Sequence, residues 1–414
     1  MGGACTRGRS LLCGPMRPTR AAAAAAVLAA LVATGCGRDS TSGSRTVDKP
    51  NIGVKGTEDT AARDLGFPSF ATKNTTRVGG ADPVADAAGV ARAVYSGATR
   101  VSRPRAVALV DGRDWRNGIA ASVLMSAPIR APILYAQGPD RLPAATKDTL
   151  SALQPTGSRQ AGGAQLIRVG DVPVVDGHKT TDLRGADAFA MARAVDAFQS
   201  AARGTTSDRV VVVSADAPAY AMPAAGWAAK SGDPILFTQR DAVPRDTRAA
   251  IAAHQQPKIY VLGPPSVISE SAVKQLRRLG TVTRIQGPDP VRNAIAFARF
   301  IDGPFGWGIV DPGHGLVFAD ASRPNDAGAA APLSASGKYG PLLLLDGPAA
   351  LPKPLQDFLL DVQPGYTRDP VRGVYNHGWI VGDADAVSVP AQSSIDALLE
   401  IVPVNERGSA PSQP

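Results

Sequence analysis

Short apolar runs alternate with alanine-rich stretches along most of this chain, and the alternation repeats three times. Residues 106–110, 210–213 and 316–319 are continuous apolar segments of strand length, the pattern of strands buried on both faces of a parallel sheet. Each is followed by an Ala-rich helical stretch, at residues 118–127, 223–229 and 327–334. A second apolar run comes next: Pro132-Ile133-Leu134-Tyr135, Pro234-Ile235-Leu236-Phe237 and Pro341-Leu342-Leu343-Leu344. Ten or eleven residues later Pro143, Pro244 and Pro352 open a further helix. A closing strand then ends in glycine at Gly170, Gly263 and Gly382.

The segment preceding each unit also recurs. Thr76-Arg77-Val78-Gly79-Gly80-Ala81-Asp82 returns 105 residues later as Thr181-Asp182-Leu183-Arg184-Gly185-Ala186-Asp187. After 102 more it returns as Thr283-Arg284-Ile285-Gln286-Gly287-Pro288-Asp289. In every copy the aspartate stands where a helix N-cap acceptor is needed, and Pro83 and Pro290 then occupy the first helical position. A period near one hundred residues sets the organisation. The expectation is an α/β protein of three tandem modules with mostly parallel sheets and right-handed crossovers, at 73–178, 179–281 and 282–404. Short connections between modules imply that they pack on one another rather than hang as beads.

The N-terminus follows a different pattern. Arg17 and Arg20 precede a small and apolar run at residues 21–32, then Ala33-Thr34-Gly35-Cys36. A basic region, a short apolar stretch and small residues before a cut make an export signal over 1–35, and Met16 would give it a compact start. Residues 36–72 are rich in Gly, Ser, Thr, Asp and Lys and read as a flexible tether. Residues 405–414 read as a polar tail.

Charge changes the picture less than its total suggests. The formal charge of +8 includes Arg7, Arg9, Arg17 and Arg20, with no acid before Cys36, so the remainder carries only +4. Nucleic acid is therefore not an expected partner. All three cysteines (Cys5, Cys13, Cys36) lie in the first 36 residues, so no disulfide staples the body. His178, His254, His314 and His377 show no metal-ligand spacing, and no metal or cofactor is expected. Nucleophile-elbow, His-Glu-x-x-His and phosphate-loop motifs are missing, which makes catalysis an unfavoured expectation.

Small residues directly before Cys36 resemble the lipobox of bacterial lipoproteins. That likeness implies a diacylglyceryl group on Cys36 and a protein held on the outer face of the cell membrane. The order of motifs in the body resembles the type 2 cell wall-binding repeat. This resemblance implies Rossmann-like or toprim-like modules packed as a pseudo-threefold unit, holding an exported protein noncovalently to an anionic cell-wall polymer. The opening arginine is kept at Arg77 and Arg284, while the middle copy has Asp182 there and Arg184 beyond it. The turn after the first strand is Asp111-Gly112-Arg113-Asp114, then Ser214-Ala215-Asp216, then Ala319-Asp320-Ala321.

Polymer-binding candidates are Arg77, Arg284, Arg113 and Lys338, whose cationic groups suit phosphate or carboxylate. From the Pro-Ile-Leu segments come Ile133, Leu134, Ile235, Leu236, Leu342 and Leu343. Each has a plainer reading: the apolar residues as core, and Arg77 and Arg284 as partners of the helix-start aspartates. Two alternatives to a wall-binding protein remain at this level. One is the solute-binding lipoprotein of a transporter, which would have two lobes about a hinge. The other is an envelope enzyme with an unrecognised site.

Overall fold

A computed structural model of the chain describes residues 69–337 and 340–404. The proposed signal peptide, the lipidation site Cys36, most of the tether, Lys338 and the tail lie outside the described residues. Everything described belongs to one compact unit, and three largely parallel sheets build it.

The first sheet comprises β3 (Val107–Asp111), β4 (Ile133–Ala136), β5 (Leu166–Val169) and β6 (Thr180–Leu183), in the order β4-β3-β5-β6. The second contains β7 (Arg209–Ser214), β8 (Ile235–Thr238), β9 (Lys258–Leu262) and β10 (Thr281–Ile285), in the order β8-β7-β9-β10. The third runs β12 (Leu342–Leu345), β11 (Gly315–Asp320), β14 (His377–Val381), β2 (Thr75–Val78), β1 (Ser69–Ala71). Only β1 runs antiparallel in these sheets. A small parallel pair, β13 (Gly365–Tyr366) with β15 (Val402–Pro403), lies apart.

The sequence repeat and the sheets are out of step. The strand that opens each repeat pairs with the strand that closes the preceding one: Arg168 faces Asp182 across β5 and β6, and Val261 faces Arg284 across β9 and β10. The first repeat has no predecessor, and its opening strand β2 joins the last sheet instead, with Ile380 facing Arg77. The ends of the described body are thereby hydrogen-bonded together, more than 300 residues apart in sequence.

Helices carry the chain onward from each opening strand: α1 (Pro83–Val94), α4 (Ala188–Arg203) and α8 (Pro290–Arg299). Asp82, Asp187 and Asp289 cap them, accepting from Ala85 N at 2.9 Å, Ala190 N at 2.8 Å and Arg292 N at 2.8 Å. Each cap contributes about 1 kcal/mol. Every one of these helices then packs on the outer strand of the next sheet: α1 on β4, α4 on β8 and α8 on β12. One strand and one helix thus bridge consecutive sheets, and the connection leaves no room for a hinge.

The helices after the central strands meet in the middle: α2 (Trp115–Ala121), α5 (Pro218–Ser231) and α9 (Asn325–Ala335). Small residues let them approach. A Cβ on Gly328 would stand 2.5 Å from Tyr135 Oη and 2.8 Å from Gly118 O, closer than real carbon atoms come. This is why a chain with only 5% aromatic residues still closes a tight core. Its aromatics concentrate where β9, α5 and α8 converge: Phe305 stacks on Tyr260 at 3.5 Å, and Trp227 meets Phe305 edge-on at 4.9 Å.

The remaining helices are α3 (Ala144–Leu153), α6 (Arg245–Ala253), α7 (Glu270–Leu276), α10 (Lys353–Asp361) and α11 (Val389–Leu399). Pro143, Pro244 and Pro352 are the cap residues just before α3, α6 and α10, as expected of residues that open a helix.

Candidate functional site

Open parallel sheets place ligand sites beyond the carboxyl ends of their strands. In the third sheet those ends also meet the N-terminus of an opening helix and the loop after the central strand.

Around the first sheet, Arg113 follows β3 and reaches back to Asp111, with Nε 2.9 Å from Oδ1 and Nη2 2.6 Å from Oδ2. Its side chain stays half exposed, and Asp171 lies 3.9 Å away. Asp111 is buried. Next to this turn, Arg116 donates from Nε to Ala215 O at 2.8 Å, and Trp115 packs edge-on against Phe237 at 5.8 Å. These contacts join the first sheet to the second. Tyr220 donates to Pro288 O at 3.1 Å and ties α5 to the loop between β10 and α8.

Around the third sheet, a cavity of about 200 Å³ opens between Asp289 and Arg292 at the start of α8, Ala321 after β11, and Asp346 after β12. Arg292 there pairs with Asp289.

The junction between the third sheet and α1 is the most charged buried point. Arg323 bridges Asp86 and Asp326, its Nε lying 2.7 Å from Asp326 Oδ2 and its Nη2 donating to Asp86 Oδ2. Gly80 N donates to Asp86 Oδ1 at 2.7 Å. Both carboxyls are fully buried. One guanidinium cannot neutralise two buried carboxylates. Burial, aided by the neighbouring Asp326, pushes the Asp86 carboxyl up to about 9. Asp86 therefore favours its protonated form at neutral pH, and Asp326, also raised by burial, leaves its Oδ1 without a hydrogen-bond partner among the described residues. The result is an Asp–Arg–Asp lock between α1 and α9. Tyr135 Oη donating to Asn325 O at 2.7 Å, and Asn325 Nδ2 donating to Gly112 O at 3.0 Å, seal the same seam.

The structure gives most sequence-selected residues a different role. Arg77 is buried in β2 and fully engaged: Nε donates to Gln392 Oε1 at 3.0 Å, Nη1 to Gly382 O at 2.9 Å and Asp383 O at 2.5 Å, Nη2 to Val387 O at 2.6 Å. Arg284 does the same in β10, reaching Gly263 O at 2.6 Å, Ile268 O at 2.8 Å and Glu270 Oε1 at 3.0 Å. Neither meets the helix-start aspartate, and neither guanidinium faces a cleft. They tie down the loop after the closing strand.

In the middle repeat this arginine has moved across the ladder. Arg168 on β5 pairs with Asp182 and points its Nη1 at Val172 O, 3.5 Å away. Ile133, Leu134, Ile235, Leu236, Leu342 and Leu343 are at most 2% exposed, so they fill the core and present no surface to a polymer. Lys338 lies outside the described residues. Trp307 is buried against Trp227 at 5.5 Å, and Trp379 packs on His377 at 4.9 Å, so both serve packing.

Sequence reasoning passed over Arg116, Arg292 and Arg323, the arginines that do stand at the clefts and seams. The signal was available in part: Asp320-Ala321-Ser322-Arg323 places a cation just past a strand end, as Asp111-Gly112-Arg113 does.

The comparisons with known proteins agree with this architecture. The family model for cell wall binding domain 2 (CWB2) matches residues 183–273, from the end of β6 through α7. The chain is similar to the N-acetylmuramoyl-L-alanine amidase LytC of Bacillus subtilis (strain 168), at 27% identity over 228 residues, covering 53% of this chain and 41% of that protein. Among solved structures, Cwp8 from Clostridium difficile matches with a TM-score of 0.59 at 18% identity, covering 79% of this chain and 52% of that one. Cwp6 from the same organism gives 0.57 at 18% identity, covering 79% of this chain and 48% of that one. The chain thus spans about half the length, or less, of each of these relatives. Residues 183–273 match the model of cell wall binding domain 2, within an α/β fold with mostly parallel sheets that the chain shares with Cwp8 and Cwp6.

Proposed function

We propose that this protein attaches noncovalently to an anionic polymer of the cell wall, and that its described body is a binding platform rather than a catalyst. The observation that carries this reading is the CWB2 match over β7, β8 and β9 of the middle sheet, together with the same four-strand order in the sheets on either side. Three tandem modules, at 73–178, 179–281 and 282–404, would then offer three weak sites that add by multivalency. A two-lobed solute-binding architecture does not account for three interlocked sheets. The amidase activity in the name of LytC is not carried over, since the match covers 41% of that protein.

An anionic ligand is supported by arginines at the clefts. Arg113, paired with Asp111 and near Asp171, and Arg292, paired with Asp289, remain half exposed, and the N-terminus of α8 opens into the 200 Å³ cavity. A wall polymer bearing phosphate or carboxylate groups would compete for these guanidinium groups. Export and lipidation at Cys36 would add a membrane tether beside the wall contact, with two acyl chains giving stable anchoring.

Sedimentation of the purified protein with isolated cell walls tests the reading. Walls should pellet it at low salt, and stripping their anionic polymers should abolish the effect. Raising the salt should weaken binding, because exposed charges are screened over about 8 Å at physiological ionic strength. A wild-type protein that stays in the supernatant at low salt overturns the proposal. Mass spectrometry of the mature N-terminus tests the anchor, and an unmodified start elsewhere than Cys36 refutes it.

A further inference from the structure

An open cavity lies at the opposite end of the first sheet from the strand ends described above. It measures about 600 Å³, within the range of small-ligand sites. Three separate segments wall it: the loop before β3 with Arg100 and Arg103, the C-terminal end of α3, and the loop before β6 with His178. No acidic side chain lines it.

Its cations are held in place and left unpaired. Arg103 donates from Nε to Gly97 O at 3.1 Å, and its two terminal nitrogens have no protein partner among the described residues. Arg100 makes no hydrogen bond or ion pair among them. The loop beneath is rigid: Thr99 N donates to Ser102 Oγ at 3.0 Å, and Ser102 Oγ donates back to Thr99 O at 3.0 Å. Gly97, at φ +70°, brings this loop against α3 so closely that a Cβ would stand 2.2 Å from Ala152 O. On the floor, Gln165 is fixed at both ends, donating to Pro155 O at 2.8 Å and accepting from Lys179 N at 3.1 Å. The His178 ring uses Nδ1 on Asp176 O at 3.1 Å, which leaves Nε2 for a ligand hydroxyl.

The other two sheets close the corresponding place. After α6, at the end equivalent to that of α3, His254 fills the gap and binds Asp196 Oδ2 at 2.9 Å and Ser207 O at 2.8 Å. After α8, Arg299 pairs with Asp361 at the end of α10. In the first sheet Arg100 and Arg103 stand at this place without an acidic neighbour in the cavity lining.

We infer that this cavity is a distinct binding site for an acidic saccharide, with Arg100 and Arg103 gripping its phosphate or carboxylate group. The hydroxyl and amide groups of Ser151, Thr156 and Gln154 suit sugar hydroxyls, and Pro155 offers an apolar face. The inference names one site for the polymer binding proposed above, and it rests on that reading for its biological ligand alone.

Isothermal titration of the full chain with oligogalacturonate, with a glycerol-phosphate oligomer and with neutral maltohexaose tests it, alongside wall sedimentation. One or both acidic oligomers should bind and maltohexaose should not; which of them binds distinguishes carboxylate from phosphate. Arg100→Ala with Arg103→Ala should weaken that binding roughly tenfold or more, and the Lys pair should restore part of it, with the circular dichroism spectrum unchanged throughout. Acidic oligomers bound as tightly by the Ala pair, while walls still pellet both proteins, would overturn this site and leave wall binding standing. Arginine-dependent oligomer binding without wall sedimentation would support the site and sink the wall reading. If neither oligomer binds, the two arginines serve only the C-terminus of α3, and the inference fails.

Discussion

Replacing Asp86 by asparagine should shift stability in the variant's favour, relative to the native chain, as pH rises. Asp86 is fully buried, and its carboxyl is raised from 3.8 to about 9 by burial and by the second carboxyl of Asp326. The folded state therefore holds a proton that the unfolded chain releases above about pH 4. With one proton more in the folded state, stability falls as pH rises between those two values, by about 1.4 kcal/mol per pH unit. From pH 5 to pH 8 the site alone would remove about 4 kcal/mol, an upper figure because the two aspartates titrate together. Asparagine keeps the shape and the acceptor for Gly80 N without the titration, and turns Nδ2 toward Arg323 in place of Oδ2, a fixed cost that does not change with pH. The third repeat already uses it: Asn293, four residues past its capping aspartate as Asp86 is past Asp82, accepts from Gly287 N at 3.1 Å. Arg323 keeps Asp326 as its partner. Urea unfolding of both proteins at pH 5, 6, 7 and 8, followed by circular dichroism, isolates the effect, since all other titrating groups are shared. The stability difference should grow with pH in favour of Asp86→Asn. A difference that stays flat across that range would show that no proton is held at the α1–α9 seam.

Arg77→Ala should behave as a structural lesion, lowering stability by about 3 kcal/mol or more, because it strands buried carbonyls at Gly382 and Val387 and the Gln392 amide; an unchanged urea midpoint with lost wall binding would return Arg77 to the ligand. Gly328→Ala should cost about 1–3 kcal/mol by forcing α9 away from Gly118 O and Tyr135, read as a lower melting temperature, and an unshifted melt would refute the close approach. His254 is pulled down by burial but raised overall by its bond to Asp196. Its stabilisation is therefore complete below the ordinary histidine value and fades as pH climbs through the raised one. NMR titration should place its midpoint above 6.5, and Asp196→Asn should lower it; a midpoint below 6.5 in the wild type contradicts the pairing.

The sequence by itself determined the local grammar of this protein. Apolar runs of strand length became β3, β7 and β11 because residues such as Val107 to Val110 leave no polar face for a helix or an exposed edge. Asp82, Asp187 and Asp289 could be read as caps, since an aspartate before a helical period satisfies orphan N–H groups wherever the helix later packs. Periodicity also exposed a threefold repeat in the sequence, because recurring spacing needs no knowledge of contacts. The partner of each strand was a different matter. That β2 would pair with β14, closing the body end to end, depends on edges left free after the other sheets had formed. The fate of the arginines was decided at the same level. Arg77 and Arg284 carry the same charge as Arg113 and Arg103, yet the first two are consumed by carbonyls of a loop brought over from a neighbouring strand, while the others keep donors to spare. Sequence reports that a guanidinium exists; only tertiary structure reports which acceptors reach it first. The lock of Asp86, Arg323 and Asp326 joins residues from the first and last repeats, and its carboxyls are raised only once packing has removed water from them.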